Sequence, residues 1–290
     1  NWLMRKQRDE YIDALLSIPT ASVQPGRLSD PGNVVNGLRW GGNGGANGSP
    51  FGSTNIATAT AAQKNLWATA NDDRLVYGAL NSNKVTGNVA SSLANVSAAT
   101  GRMTAAVGSL LKYTAQQTTA MASWPAITPY QRVGEDQEWF VCFMGSRAFR
   151  DLKADPVMYQ ANRDAREREG SDPTKNNPLF TGGGLVYDGV IYREIPEMDQ
   201  RILQSGVGAS SVDVAPVILC GQSAMALVLG QEAKPTRRDE TDYGFLKGVG
   251  IEAQYGIGKI AKAPTSSAGT VGDLKDWGIV TGFVAAPPNP

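Results

Sequence analysis

The chain has 290 residues, enough to bury a sizeable core in one large domain or two modest ones. Lysine plus arginine balance aspartate plus glutamate at 27 each, so there is no basic excess to mark a protein whose main task is gripping nucleic acid. Histidine is absent, which removes His-containing zinc sites, Ser-His-Asp and Cys-His nucleophile systems, and the usual general base near neutral pH.

Residues 1–18 predict an amphipathic helix: Leu15 and Leu16 lie one turn beyond Tyr11 and Ile12, and Pro19 ends it. Arg5 and Asp9 are spaced for an ion pair on one helix face, and the stretch is too charged for a signal peptide. From about 20 to 60 regular pattern is lost, and "WGGNGGANGSPFGS" (40–53) holds too much Gly, Asn and Ser to supply a core. The flanking "NVVNGLRW" has the makings of a hairpin strand.

A stripe then steps by four and three through Val89, Leu93, Val96, Thr100, Met103, Val107, Leu110, Thr114, Gln117 and Met121. It predicts one helix from about 88 to 121, roughly 50 Å long at ~1.5 Å per residue. Its flanks are Ala, Ser, Thr and Gly, with Arg102 and Lys112 the charged exceptions, which suits packing on a sheet better than a coiled coil. Gly101 and Gly108 are the points where such a helix would loosen.

Beyond Trp124-Pro125 the pattern becomes α/β. "EWFVCFM" (138–144) reads as a buried strand, Gly145-Ser146 as a turn and "RAFRDLKAD" as a short helix. "VMYQANRDAREREG" (157–170) reads as a charge-dense helix ending at a glycine. "LVYDGVIYREI" gives two strands turning at Asp188-Gly189, and "VAPVILC" followed by "QSAMALVLG" reads as a strand and a buried helix. "GIEAQYGIGKI" (250–260) and "DWGIVTGFVA" (276–285) are late strands. The longest apolar stretch, residues 214–230, falls short of a membrane span and predicts a soluble protein. Cys142 and Cys220 each sit in apolar surroundings and read as small buried hydrophobes, with a disulfide between them the alternative; a reducing compartment fits.

The chemical motifs fail one by one. Gly182-Gly183-Gly184 has no following lysine and runs into a strand, so it reads as a turn rather than a phosphate loop; Gly256, Gly258 and Lys259 come nearest to that motif but lack its hydroxyl residue. "GVGIEA" (248–253) satisfies a dinucleotide fingerprint formally, yet a strand pattern follows where a helix is required. Asp239, Glu240 and Asp242 read as a solvated loop balanced by Arg237 and Arg238, with a hard-cation site the alternative. Arg163, Arg166, Glu167, Arg168 and Glu169 form either a solvated face or a set of ion pairs between subunits. Trp2 and Tyr11 are further subunit-contact candidates on the first helix. No catalytic, cofactor-binding or metal-ligating set emerges.

The order of parts resembles the major capsid proteins of tailed bacteriophages, the family with the Hong Kong 97-like fold. The likeness rests on "EWFVCFMGSRAFRDLKADP", on "NNPLFTGGGLVYDGVIYREIPEM" and on "PVILCGQSAMALVLG", and it is nearest to the subgroup found in certain short-tailed podoviruses. It implies an α+β fold with an N-terminal arm helix (1–19), an extended loop (20–80) and a P-domain (81–134) carrying the spine helix. An A-domain with P-domain strands (135–262) and a C-terminal strand and tail (263–290) would follow.

The implied function is mechanical. Copies would associate as hexamers and pentamers into an icosahedral head around double-stranded DNA held without sequence specificity. Scaffold, portal and decoration proteins would be partners, without a membrane. Assembly would take place in the host cytoplasm, and the product would be the virion head. The competing readings are an encapsulin-like compartment shell, another virion component, and a dinucleotide-binding enzyme using "GVGIEA".

Overall fold

The computed structural model describes residues 2–19, 53–57, 59–117, 126–133, 137–161, 184–237, 249–262 and 275–288. Helix α1 (Trp2–Leu15) runs straight into strand β1 (Ser17–Pro19), which pairs antiparallel with β2 (Ser53–Asn55). The helix therefore stops before Pro19. The Ser17 hydroxyl donates to the Ala14 carbonyl at 2.9 Å, and Leu16 and Ile18 are buried by joining the strand pair.

Helix α2 (Ala61–Ala70) and strand β3 (Leu75–Tyr77) correct the extended loop expected over 20–80. Residues 20–52 lie outside the described residues, but Trp67, Ala68, Leu75, Val76 and Tyr77 belong to the core. Thr60 and Gln63 form a reciprocal capping box at the start of α2, and Trp67 is fully buried along it.

The single spine helix expected over 88–121 is also corrected. It is two helices, α3 (Val89–Ala94) and α4 (Ala105–Gln116), each with its own N-cap, from Asn88 and Thr104. Between them the chain folds back so tightly that a Cβ on Gly101 would lie 2.7 Å from Val96 Cγ1. The apolar stripe is real but divided. Val89, Leu93 and Val96 pack on one face of the central sheet, whereas Met103, Val107 and Leu111 pack on the other.

Strand β4 (Gln131–Val133) pairs with β5 (Gln137–Met144), which leads into helix α5 (Ser146–Ala154) and a helix over residues 156–161, α6. Strands β6 (Gly184–Tyr187) and β7 (Val190–Glu194) form the expected hairpin. Asp188 and Gly189 take φ of 50° and 71°, the left-handed pair that a tight two-residue turn requires. Helix α7 (Glu197–Arg201) and strand β8 (Val214–Cys220) follow.

The segment "QSAMALVLG", expected as a helix, is instead the start of a long strand, β9 (Met225–Arg237), paired antiparallel with β10 (Val249–Lys259). Short strands β11 (Ala261–Lys262) and β12 (Lys275–Asp276) precede the late strand β13 (Ile279–Ala285).

Seven strands make the central mixed sheet, in the order β3-β13-β8-β5-β7-β6 with β4 on β5. Strand β8 is buried on both sides: Ala215, Val217 and Leu219 face the α4–α5 layer, and Val214, Ile218 and Cys220 face the α1–α2–α3–α7 layer. This explains its unbroken apolar sequence, since a strand covered on both faces shows no alternation. Register places Cys142 opposite Leu219, so the two thiols lie on opposite faces of the sheet. Both are free and buried, and burial pushes the Cys220 thiol up to about 12. The tail after β13 is held by α5: Arg147 donates to the Ala286 carbonyl at 3.3 Å, and Arg150 donates to the Pro287 carbonyl at 2.9 Å.

Gly108 allows α4 to approach the sheet, because a Cβ there would fall within the Tyr192 hydroxyl. Tyr192 is fully buried and its ring has nowhere to move. We expect Gly108→Ala to destabilise the protein by about 1–3 kcal/mol in chemical unfolding, despite alanine's better helix propensity. Tyr192→Phe removes the clashing atom, so a double-mutant cycle should show about 1 kcal/mol or more of coupling; additive effects would refute the contact.

Candidate assembly surfaces

Most of β9, in the β9–β10 ribbon, is exposed. This 13-residue strand spans about 40 Å at ~3.3 Å per residue, and beyond the root it leaves the central sheet. Successive strand residues point to opposite faces, and Leu227, Val228 and Leu229 are 48%, 51% and 59% exposed. Apolar side chains therefore stand uncovered on both faces. Among the described residues each strand of the ribbon pairs with the other alone, so neither outer backbone edge has a strand against it. An isolated two-stranded hairpin is marginal in water, so such a surface gains stability when something covers it.

Helix α1 lies against β10 and α7. The Tyr255 hydroxyl of β10 bonds Glu10, and burial together with that carboxylate raises the phenol above its ordinary value. Arg8 pairs with Glu197 at 2.8 Å, and Arg201 pairs with Asp13 and with Asp9, the latter at 3.5 Å. Asp9 thus serves the contact with α7, where the sequence suggested a pair with Arg5; Arg5 is exposed. Such part-exposed pairs orient α1 more than they stabilise it.

At the ribbon's root lies a buried polar cluster. Lys259, the last residue of β10, and Asp276, the last of β12, are each 2% exposed and form an ion pair at 2.9 Å. The indole nitrogen of Trp67 donates to Asp276 Oδ2 at 3.2 Å, and the Lys259 ammonium lies 5.6 Å from the Trp67 ring centroid. The Asp276 backbone N–H donates to Asn71 Oδ1 at 2.7 Å. Arg74 donates to the carbonyls of Asp276 and Trp277, and burial pulls its guanidinium down from the ordinary value while Asp73 and Asp276 oppose that shift. Lys275 pairs with Asp73 beside it.

These residues are missed in the sequence because up to 209 positions separate them. The one available signal was a lysine inside an alternating apolar strand. Lys259, the near miss for a phosphate loop, is an ion-pair partner.

The other candidates fall as follows. Residues 249–253 of "GVGIEA" lie in β10, so no helix N-terminus faces a pyrophosphate there, and the dinucleotide site is ruled out by the strand. Arg237 ends β9, while Arg238, Asp239, Glu240 and Asp242 lie outside the described residues. Arg163, Arg166, Glu167, Arg168 and Glu169 also lie outside them. Trp2 begins α1, and Tyr11 is half-buried along it. Among the described residues no group of three or more His, Cys, Asp or Glu is placed to hold a metal ion, and no helix is long and apolar enough to cross a membrane.

The mixed sheet between helical layers is a fold shared with solved phage capsid chains and places the chain in the Hong Kong 97-like fold class. A family model described as phage capsid protein matches residues 43–287, and the chain belongs to that family. The major capsid protein of Pseudomonas phage KPP25 is 30% identical over 155 residues, which cover 52% of this chain and 39% of that protein.

Among solved structures, the cyanophage Pam1 capsid asymmetric unit is 31% identical with a TM-score of 0.73, covering 99% of this chain and 67% of that one. The capsid of Ralstonia phage GP4 shares the fold at 19% identity and a TM-score of 0.58, covering 99% of this chain and 66% of that one. The chain spans about two thirds of the length of both capsid chains.

Proposed function

We propose that this chain is the major capsid protein of an icosahedral head, joining other copies as hexamers and pentamers in a shell that encloses double-stranded DNA. The family match over residues 43–287 carries this reading. A formal net charge of zero suits a wall that confines DNA without gripping each phosphate. In this role the protein is a building element and not an enzyme. Scaffold, portal and decoration proteins are its further partners, and the head belongs to a short-tailed podovirus. Trp2, Tyr11 and the charged run Arg163, Arg166, Glu167, Arg168 and Glu169 make contacts between subunits. The ribbon is a principal docking surface, because Leu227, Val228 and Leu229 offer apolar area that this chain does not cover.

Negative-stain microscopy of the purified chain tests the reading. Rings or closed shells are the expected result, and a stable monomer that never enters a particle overturns it. Replacing Leu227 and Leu229 together by serine should lower the yield of assembled particles about tenfold or more. It should change the unfolding free energy by no more than about 0.5 kcal/mol per site, as surface substitutions do. Undiminished assembly would show that the ribbon is not a contact surface.

A further inference from the structure

The ribbon joins the body of the protein at its root, where Met225 pairs with Lys259. Around that root, Asp276 engages neighbouring segments with its carboxylate, its N–H and its carbonyl. Its carboxylate holds Lys259 of β10 and Trp67 of α2, its N–H donates to Asn71 at the end of α2, and its carbonyl accepts from Arg74. Nearby, the Ile260 N–H donates to the Ala224 carbonyl at 3.1 Å and the Trp277 N–H to the Ile260 carbonyl at 3.0 Å. A Cβ on Gly278 would collide with the Ser223–Ala224 peptide, so the bend between β12 and β13 packs directly against the turn that enters the ribbon.

We infer that the buried Lys259–Asp276 pair, with Trp67, Asn71 and Arg74 about it, is a clamp that sets the angle of the ribbon against the central sheet. A buried ion pair seldom stabilises a fold more than apolar residues of the same volume. Its distinctive property is direction. Charged hydrogen bonds hold one geometry, whereas apolar contact is non-directional and permits a pivot. The lever makes the direction matter: a 10° pivot at the root would carry the tip of a ~40 Å ribbon by about 7 Å, the width of more than one strand spacing. Resting on the reading of the ribbon as a docking surface, the clamp then fixes how neighbouring copies are inclined and so the curvature of the shell.

The test replaces Lys259 by methionine and Asp276 by leucine together in the full chain, leaving the volume filled. Hydrogen exchange followed by mass spectrometry on unassembled protein reads the clamp without any reference to shells. We expect cooperative unfolding to persist while the amides of Ile260 and Trp277 exchange about tenfold faster or more. Unchanged exchange at the root in the folded double variant overturns the clamp.

Trp67→Phe, which removes the indole donor and keeps an aromatic ring, is the second variant should the first not fold. Root exchange about threefold faster is expected, and no change again overturns the proposal. Microscopy then reads the consequence: a spread of particle sizes supports the link to curvature. Faster root exchange with particles of unchanged size supports the clamp and overturns that link. Wild-type protein that forms no particles at all overturns the docking reading on its own.

Discussion

Replacing Lys259 alone by methionine should destabilise the protein by about 3–5 kcal/mol, read as a shift in the denaturant midpoint. The size follows from what is left behind. Asp276 is 2% exposed, so its carboxylate cannot recover water when the ammonium is removed. Trp67 and Arg74 remain as partners for Asp276, which favours the lower half of that range. The single variant should therefore be markedly less stable than the Lys259→Met, Asp276→Leu double variant, although the double carries more changes. A single variant as stable as the wild type would show that the pair is hydrated in solution.

Phe283→Ala should cost about as much, roughly 4 kcal/mol, for an unrelated reason. Phe283 is fully buried in β13, between β3 and β8, and stacks on Tyr77 with ring centroids 5.2 Å apart and planes 16° from parallel. The substitution loses the transfer free energy of the ring, leaves a cavity walled by backbone strands, and forfeits about 1 kcal/mol of aromatic pairing. Phe143, on β5, is only half-buried, and Phe143→Ala should cost less than half as much under the same denaturant assay. Equal losses at the two positions would contradict the assignment of β13 to the centre of the core.

Both expectations concern residues whose importance differs greatly in visibility from the sequence. Phe283 sits in "IVTGFVA", an apolar run that announces a buried strand, and the structure places it in one. Lys259 and Asp276 carry charges, and nothing local marks them as interior. Their burial depends on the short strands β11 and β12 meeting Trp67 of α2, 209 positions before Asp276. The divided stripe between 89 and 111 shows a related limit. A period of 3.6 records that residues share a helical face, but it does not record which layer that face meets or whether the chain turns between one helix and the next.

The segment after Gly221 misled for the opposite reason. A run of apolar residues fits a buried helix and a strand equally well, and only pairing with β10 selects the strand. The capping box at Thr60–Gln63 starts a helix inside what was expected to be loop, a local signal that the sequence reading missed.

Local chemistry therefore determined the pieces that carry their own instructions. Among these are the turn at Asp188-Gly189, the doubly buried strands at 214–220 and 279–285, the short helix after Gly145, and a lack of histidine that excludes histidine-dependent catalysis. The tertiary structure decided what depends on distant partners. It placed the two cysteines on opposite faces, broke the spine into α3 and α4, lifted β9 and β10 away from the sheet, and sealed Lys259 against Asp276. The reason is the range of the forces involved. Turn strain, capping and residue periodicity act over a few positions, whereas burial and charge pairing are settled only once segments hundreds of residues apart have met.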